Sequence, residues 1–200
     1  GFMAQTGDPL GTGAGGSDLP DIAGEFSFRR GADAGFVAIP ATAAGPVGLV
    51  GSIPVATQPD AQMFVTADFK VDATPLFCPG SAGMARSSGD DSANSQFFLM
   101  MEANPSLDGQ YTVFGRVVDG LEAVRALKAG DPAANGTVAD PDTMTRVRLA
   151  ADIPEPDRPA VRVMRAASAS FQPYVEATRA EKGVRFGVCD IQPPAEVTGG

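Results

Sequence analysis

The chain has 200 residues, 44% of them apolar, and carries a formal net charge of −9. That length suits one domain with an appendage, while an acidic chain with no Lys/Arg cluster excludes nucleic acid and anionic membrane surfaces as partners. Histidine is absent, which excludes His-based triads, His metal sites and the commonest general base, and no apolar run is long enough to span a bilayer.

In chain order, Phe2 and Met3 lie in a segment that reads as the end of a strand, closed by the turn signal Thr6-Gly7-Asp8-Pro9. Gly11-Thr12-Gly13-Ala14-Gly15-Gly16 then satisfies G-x-G-x-x-G. A pyrophosphate loop needs a helix after its last glycine, and Ser17-Asp18-Leu19-Pro20-Asp21 follows instead, so a dinucleotide site is excluded. Short β-like runs come next: Glu25–Arg29, Gly35–Ile39, Val47–Ile53, Gln62–Thr66 with Phe69 and Val71 beyond, Gly83–Arg86, Ser95–Met101 and Tyr111–Val118. Strands so close together, joined by Gly/Asn/Asp turns such as Asp108-Gly109, predict an antiparallel sheet or barrel. The two-residue period sends Phe97 to the opposite face from Phe98 and assigns Phe97 to the core.

A helix is predicted after Asp119, with Asp119 and Glu122 as a capping-box pair, Leu121, Val124 and Leu127 as its packing face, and Gly130 at its end. Thr143–Leu149 alternates as a closing strand, and 151–159 is a Pro-rich linker. Beyond it, a strand over Val161–Met164, a helix from Ser170 to Lys182 ended by Gly183, and a strand over Val184–Ile191 make a small βαβ-like extension. The helix face is Phe171, Tyr174, Val175 and Thr178. Cys78 and Cys189 are too few for a structural zinc site. They form a disulfide in an exported protein or stay as two buried thiols in a reducing one.

Three segments carry a resemblance: Gly1–Gly16 (GFMAQTGDPLGTGAGG), Gly83–Met101 (GMARSSGDDSANSQFFLMM) and Leu107–Val117 (LDGQYTVFGRV). In this order they are similar to the cyclophilins, peptidyl-prolyl cis–trans isomerases. The resemblance covers most of residues 1–150 and implies a mainly β fold with some α: a cyclophilin-like antiparallel β-barrel with packing helices. An insertion at about 30–80 and the small α/β extension at 160–200 lie outside the family pattern. In this family the Gly-rich loop is a turn at the rim of the active site and binds no phosphate. Gly11, Gly13, Gly15 and Gly16 are then expected to supply backbone conformations that a Cβ resists.

Rotation about X-Pro meets a barrier of roughly 20 kcal/mol because the amide C–N bond is conjugated. No covalent bond breaks, so no nucleophile, metal or cofactor is needed. A dry pocket for the proline ring, and donors that favour the twisted amide over the planar one, suffice. By resemblance, Phe2, Met3, Phe98 and Leu107 form the proline pocket, and Gln5 and Gln96 hydrogen-bond substrate backbone or the catalytic group. Ala85 and Arg86 offer main-chain groups to the residue before proline, and Tyr111 completes the substrate site where relatives often carry His. Gln5 and Phe98 are the catalytic members present. The family's principal arginine precedes the G-F-M motif, and so is expected ahead of Gly1, together with the barrel's first strands and helix.

Ser106 stands where many relatives have an aromatic residue, so a cyclosporin-like macrocycle is expected to bind weakly. The expected partners are proline-containing polypeptides, met by a monomer, with no nucleic acid and no membrane. The alternative function is a non-catalytic proline-peptide-binding or chaperone module on the same scaffold. The insertion either adds strands near the groove or is an ornament remote from it, and Cys78 and Cys189 would join insertion to extension if the two meet. The Ala/Gly/Pro-rich acidic composition with extra decorations suggests a periplasmic or secreted bacterial protein, with the cytoplasm as the alternative.

Overall fold

A computed structural model describes residues 1–41 and 44–199; Thr42 and Ala43 of the insertion and the terminal Gly200 lie outside the described residues. Two antiparallel sheets and one ribbon make up the β structure. The first sheet has the order β1-β8-β7-β9, from Met3–Thr6, Phe97–Met100, Ser81–Met84 and Val113–Arg116. β1 and β8 pair Met3 with Met100 and Gln5 with Phe98, and β7 brings Gly83 opposite Phe98. Residues opposite one another on paired strands share a face, as do residues two apart along a strand. Met3, Gln5, Phe98 and Met100 therefore stand on one surface. Gly83 also belongs there for want of space: a Cβ would lie 2.5 Å from the Phe77 ring and 2.7 Å from the Phe98 ring. A bulge between Ala82 and Gly83 shifts the β7–β9 register at that point.

The segment expected as an insertion folds as the second sheet, order β2-β6-β5-β4-β3: Phe28–Arg30, Val71–Pro75, Ile53–Thr57, Val47–Val50 and Phe36–Ala38. The run expected as one strand over Val47–Ile53 is two, because Gly51 takes φ +62° and turns the chain into a hairpin. The first strand begins three residues later than the expected Glu25–Arg29. Gln62–Thr66 is not a strand but belongs to a 3-10 turn, Asp60–Val65, entered at Pro59. Asp60 is drawn there by Arg30, whose guanidinium is 2% exposed, bonds Asp60 at 2.6 Å, Thr57 Oγ1 and the Gln58 carbonyl, and stacks 4.4 Å from the Phe36 ring. A buried cation must be paired and hydrogen-bonded in this way, and that requirement overrides the local β pattern.

The helix α1 spans only Leu121–Arg125, with Gly120 at its N-cap and no side-chain cap. Asp119 does not cap it, Glu122 pairs with Arg125 at 2.7 Å, and Leu127, 45% exposed, lies past its end, as does Gly130. Thr143–Leu149 keeps its alternation but forms no ladder among the described residues, and Met144, Val147 and Leu149 are exposed. A strand needs a partner for its backbone groups, which is why the pattern alone did not make one.

The C-terminal extension holds the strand β10, Ala160–Val163, and the helix α2, Phe171–Lys182, as expected. Phe171 and Val175, one helical turn apart, are buried, each adding about 1.5–3 kcal/mol of transfer free energy. Val184–Ile191 forms two 3-10 turns and no strand. The partner of β10 is β11, Ala195–Thr198, antiparallel, so the βαβ expectation gives way to a two-stranded ribbon with a helix between its strands. Ile39, Val47 and Leu49 of the second sheet share one core with Phe171, Val175, Phe186, Val188 and Ile191. Insertion and extension thus bury each other's apolar faces, and the Cys78–Cys189 disulfide joins them, with a Cα–Cα distance of 5.0 Å.

Candidate active site

A second, smaller core lies under the first sheet, made of Phe77, Phe98 and Met100, with Met3, Ala85, Leu107, Tyr111 and Val113 packed against it. Above it opens a cavity of about 90 Å³ lined by Met3, Gln5, Ala85, Arg86, Phe98, Leu107 and Tyr111. The size admits one small ring rather than a drug-sized ligand. β1 supplies Met3 and Gln5 from one face and β8 supplies Phe98. Leu107 closes a 3-10 turn, Pro105–Leu107, whose first residues are capped by Asn104 Oδ1 accepting from the Ser106 N–H.

The walls are aromatic, with Tyr111 fixed edge to face against Phe98 and Phe77, and Phe77 tilted by 31° against Phe98. The Phe98 ring meets Tyr111 at 5.8 Å and 89°, and Phe77 meets Phe98 at 5.3 Å from behind. Such contacts add roughly 0.5–1.5 kcal/mol each beyond area burial. Arg86 is held between two rings, 5.3 Å from the Phe26 centroid and 5.0 Å from Tyr111, with its Nε donating to the Gln110 carbonyl and its guanidinium 3.4 Å from Asp90. Asp108 is half-buried behind Leu107. Burial pushes its carboxyl above the ordinary value, and the Phe77 N–H, donating to it at 2.7 Å, pulls the other way.

Of the nine residues expected at the site, the structure brings seven to the cavity. Gln96 stands one shell behind, accepting from Gln5 Nε2 at 2.8 Å. Phe2 is outside the lining, 38% exposed, and gives its carbonyl to the Met101 and Glu102 N–H groups. Ser106 is exposed and bonds Asn104 Oδ1. Phe97 is half-buried against exposed Phe114 rather than in the core. Phe77 and Phe26, which brace the pocket, were not expected there, and nothing in their sequence neighbourhood distinguishes them from ordinary core residues.

The Gly-rich segment is an irregular loop, which removes the helix a dinucleotide would need. Its organiser is Asp8, whose carboxylate accepts from the Leu10, Thr12, Gly13 and Gly15 N–H groups and from the Thr12 hydroxyl. Only Gly11 and Gly13 have the positive φ expected of the loop. Gly15 is required for space, because a Cβ would sit 2.1 Å from Asp8 Oδ1. By sequence Asp8 is only part of a turn signal; a carboxylate just ahead of a glycine run is the signal that could have found this arrangement.

These hydrogen bonds, led by that from Leu10, hold the Asp8 carboxyl far below the usual carboxylate range. A depressed folded pKa gives a contribution that is complete above the unfolded value of 3.8 and is lost only as pH falls through the lower folded one. The Thr12, Gly13 and Gly15 amide shifts are therefore expected to hold steady from pH 7 through pH 4. An NMR titration in which they move with a midpoint near 4 contradicts this.

The model of the family "Cyclophilin type peptidyl-prolyl cis-trans isomerase/CLD" matches residues 1–149. The chain belongs to the cyclophilins. A "Probable peptidyl-prolyl cis-trans isomerase" of Brucella abortus is 34% identical over 163 residues, 76% of this chain and 60% of the relative. The chain thus spans less than two thirds of the length of that curated relative. Peptidyl-prolyl cis-trans isomerase B of Bacillus subtilis is 44% identical over 52 residues, 26% of this chain and 36% of the relative. Among solved structures, the cyclophilin AquaCyp293 from Hirschia baltica is similar over the whole chain and 73% of its own, at TM-score 0.87 and 29% identity. The cyclophilin fold, mainly antiparallel β with few helices, is therefore that of this chain. Among the described residues no helix is long and apolar enough to cross a membrane, and no group of three or more Cys, Asp or Glu could hold a metal ion.

Proposed function

We propose that this cyclophilin catalyses cis–trans rotation about X-Pro bonds in polypeptides. The observation that carries the reading is the small cavity in which Met3, Phe98, Leu107 and Tyr111 surround the space for a ring while Gln5 offers an amide at its edge. A desolvated proline ring is gripped there, and polar groups at the edge stabilise the twisted amide more than the planar one. The principal donor is the arginine that the family carries ahead of the G-F-M motif. The disulfide supports an oxidising compartment, periplasmic or extracellular. Ser106 stands exposed next to Leu107 where the resemblance places an aromatic ring, which supports weak binding of cyclosporin-like macrocycles.

The test is a protease-coupled assay on a short X-Pro peptide, with and without cyclosporin. It uses the chain as it stands and the chain preceded by a segment that carries the family's arginine. Acceleration by the arginine-bearing protein, weakly inhibited by the macrocycle, is the expected result. If that protein is folded and leaves the uncatalysed rate unchanged, the isomerase reading falls and a proline-peptide-binding module replaces it.

A further inference from the structure

We infer that Asp8 is a positioning residue: acting through the Gly-rich loop and Gln96, it sets the direction in which the Gln5 amide faces substrate. Its role in turnover rests on the isomerase reading; the coupling from Asp8 to Gln5 does not.

The chain of hydrogen bonds has a fixed polarity. Asp8 collects four loop N–H groups and one hydroxyl, and the loop in turn gives the Gly13 and Gly15 carbonyls to Gln96 Nε2, at 3.3 and 2.7 Å. A carbonyl oxygen only accepts, so the end of Gln96 that faces the loop must be its NH2 group. Both of its N–H bonds are then used, and its Oε1 is what remains for Gln5. Gln5 must therefore donate through Nε2, at 2.8 Å, which leaves its own Oε1 and one N–H for substrate. Were Gln96 free to flip, Gln5 would be free as well, and the amide at the pocket would present donor or acceptor at random. The loop is thus useful to the site without touching the cavity, since none of its residues lines it.

Two substitutions break the first link by different means. Asp8→Asn replaces an acceptor oxygen by an NH2 among N–H donors. Gly15→Ala leaves the carboxylate charged but places a Cβ 2.1 Å from Asp8 Oδ1 and drives it out. Gln96→Leu breaks the middle link and leaves Asp8 with its loop. The readouts are the side-chain amide signals of Gln5 and Gln96 in nitrogen-15 spectra, and kcat/KM on an X-Pro peptide.

Asp8→Asn and Gly15→Ala should each move both glutamine signals toward solvent-exposed positions and lower kcat/KM about tenfold, the scale expected when a positioning contact is lost. In the Gln96→Leu background, Asp8→Asn should cost no further activity. The proposal is overturned if the Gln5 signal stays in place while the loop amides change, or if the activity losses multiply across the double variant. A chain that fails to isomerise at all defeats the functional reading alone, and the two amide signals still decide the coupling.

Discussion

Breaking the Cys78–Cys189 disulfide is expected to remove about 5 kcal/mol of folding free energy, the loop-closure value for a separation of 111 residues. The bond joins the end of the second sheet to the turn Val188–Asp190, and both flanks contribute to the same core through Leu49, Phe171, Val188 and Ile191. Unfolding the reduced chain lets the extension diffuse away from the insertion, and the oxidised chain forbids that. Cys78 is also the residue after Phe77, whose ring braces Phe98, so the loss should reach the pocket. The measurement is urea unfolding of the Cys78→Ala/Cys189→Ala double variant against the oxidised protein. The midpoint should fall by on the order of 2 M, and the slope should steepen because the unfolded chain without the cross-link exposes more surface. A fall worth under about 1 kcal/mol would mean that the shared core holds the extension without the bond, well below the usual 2–4 kcal/mol.

Phe98→Ala should cost both stability and activity. The ring is 2% exposed and touches Phe77 and Tyr111, so its removal opens a cavity worth about 3–5 kcal/mol. It also deletes the floor of the proline pocket, and kcat/KM on an X-Pro peptide should fall by about a hundredfold or more. Because a loss of that size is a large part of a domain's stability, Phe98→Leu separates the two effects: most of the volume returns, so the melting temperature should recover most of the loss while the rate stays well below that of the parent. Full activity in a folded Phe98→Leu protein would show that the pocket grips proline without this ring.

Apolar runs together with the family resemblance located the strands of the first sheet around Gln5, Phe98 and Gly115, while β7 begins two residues before the expected Gly83–Arg86. Local chemistry was enough for α2, where Phe171 and Val175 at helical spacing and Gly183 at the end all agree. It failed where a distant group decides the outcome. Asp60 turns because Arg30 is buried beside it; Thr143–Leu149 alternates but has no strand alongside; β10 pairs with Ala195–Thr198 and not with the apolar run nearer to it.

At the site, the resemblance told which side chains belong together, and a histidine-free set of apolar and amide groups suits rotation about a bond. Only the tertiary structure could say that Phe2 stands outside the cavity, that Phe77 and Phe26 brace it, and that Asp8 reaches Gln5 by way of Gln96. Composition and pattern act through neighbours a few residues apart, whereas pocket walls and hydrogen-bond relays are made by residues far apart in the chain, 91 positions in the case of Gln5 and Gln96, and are settled when the sheets pack.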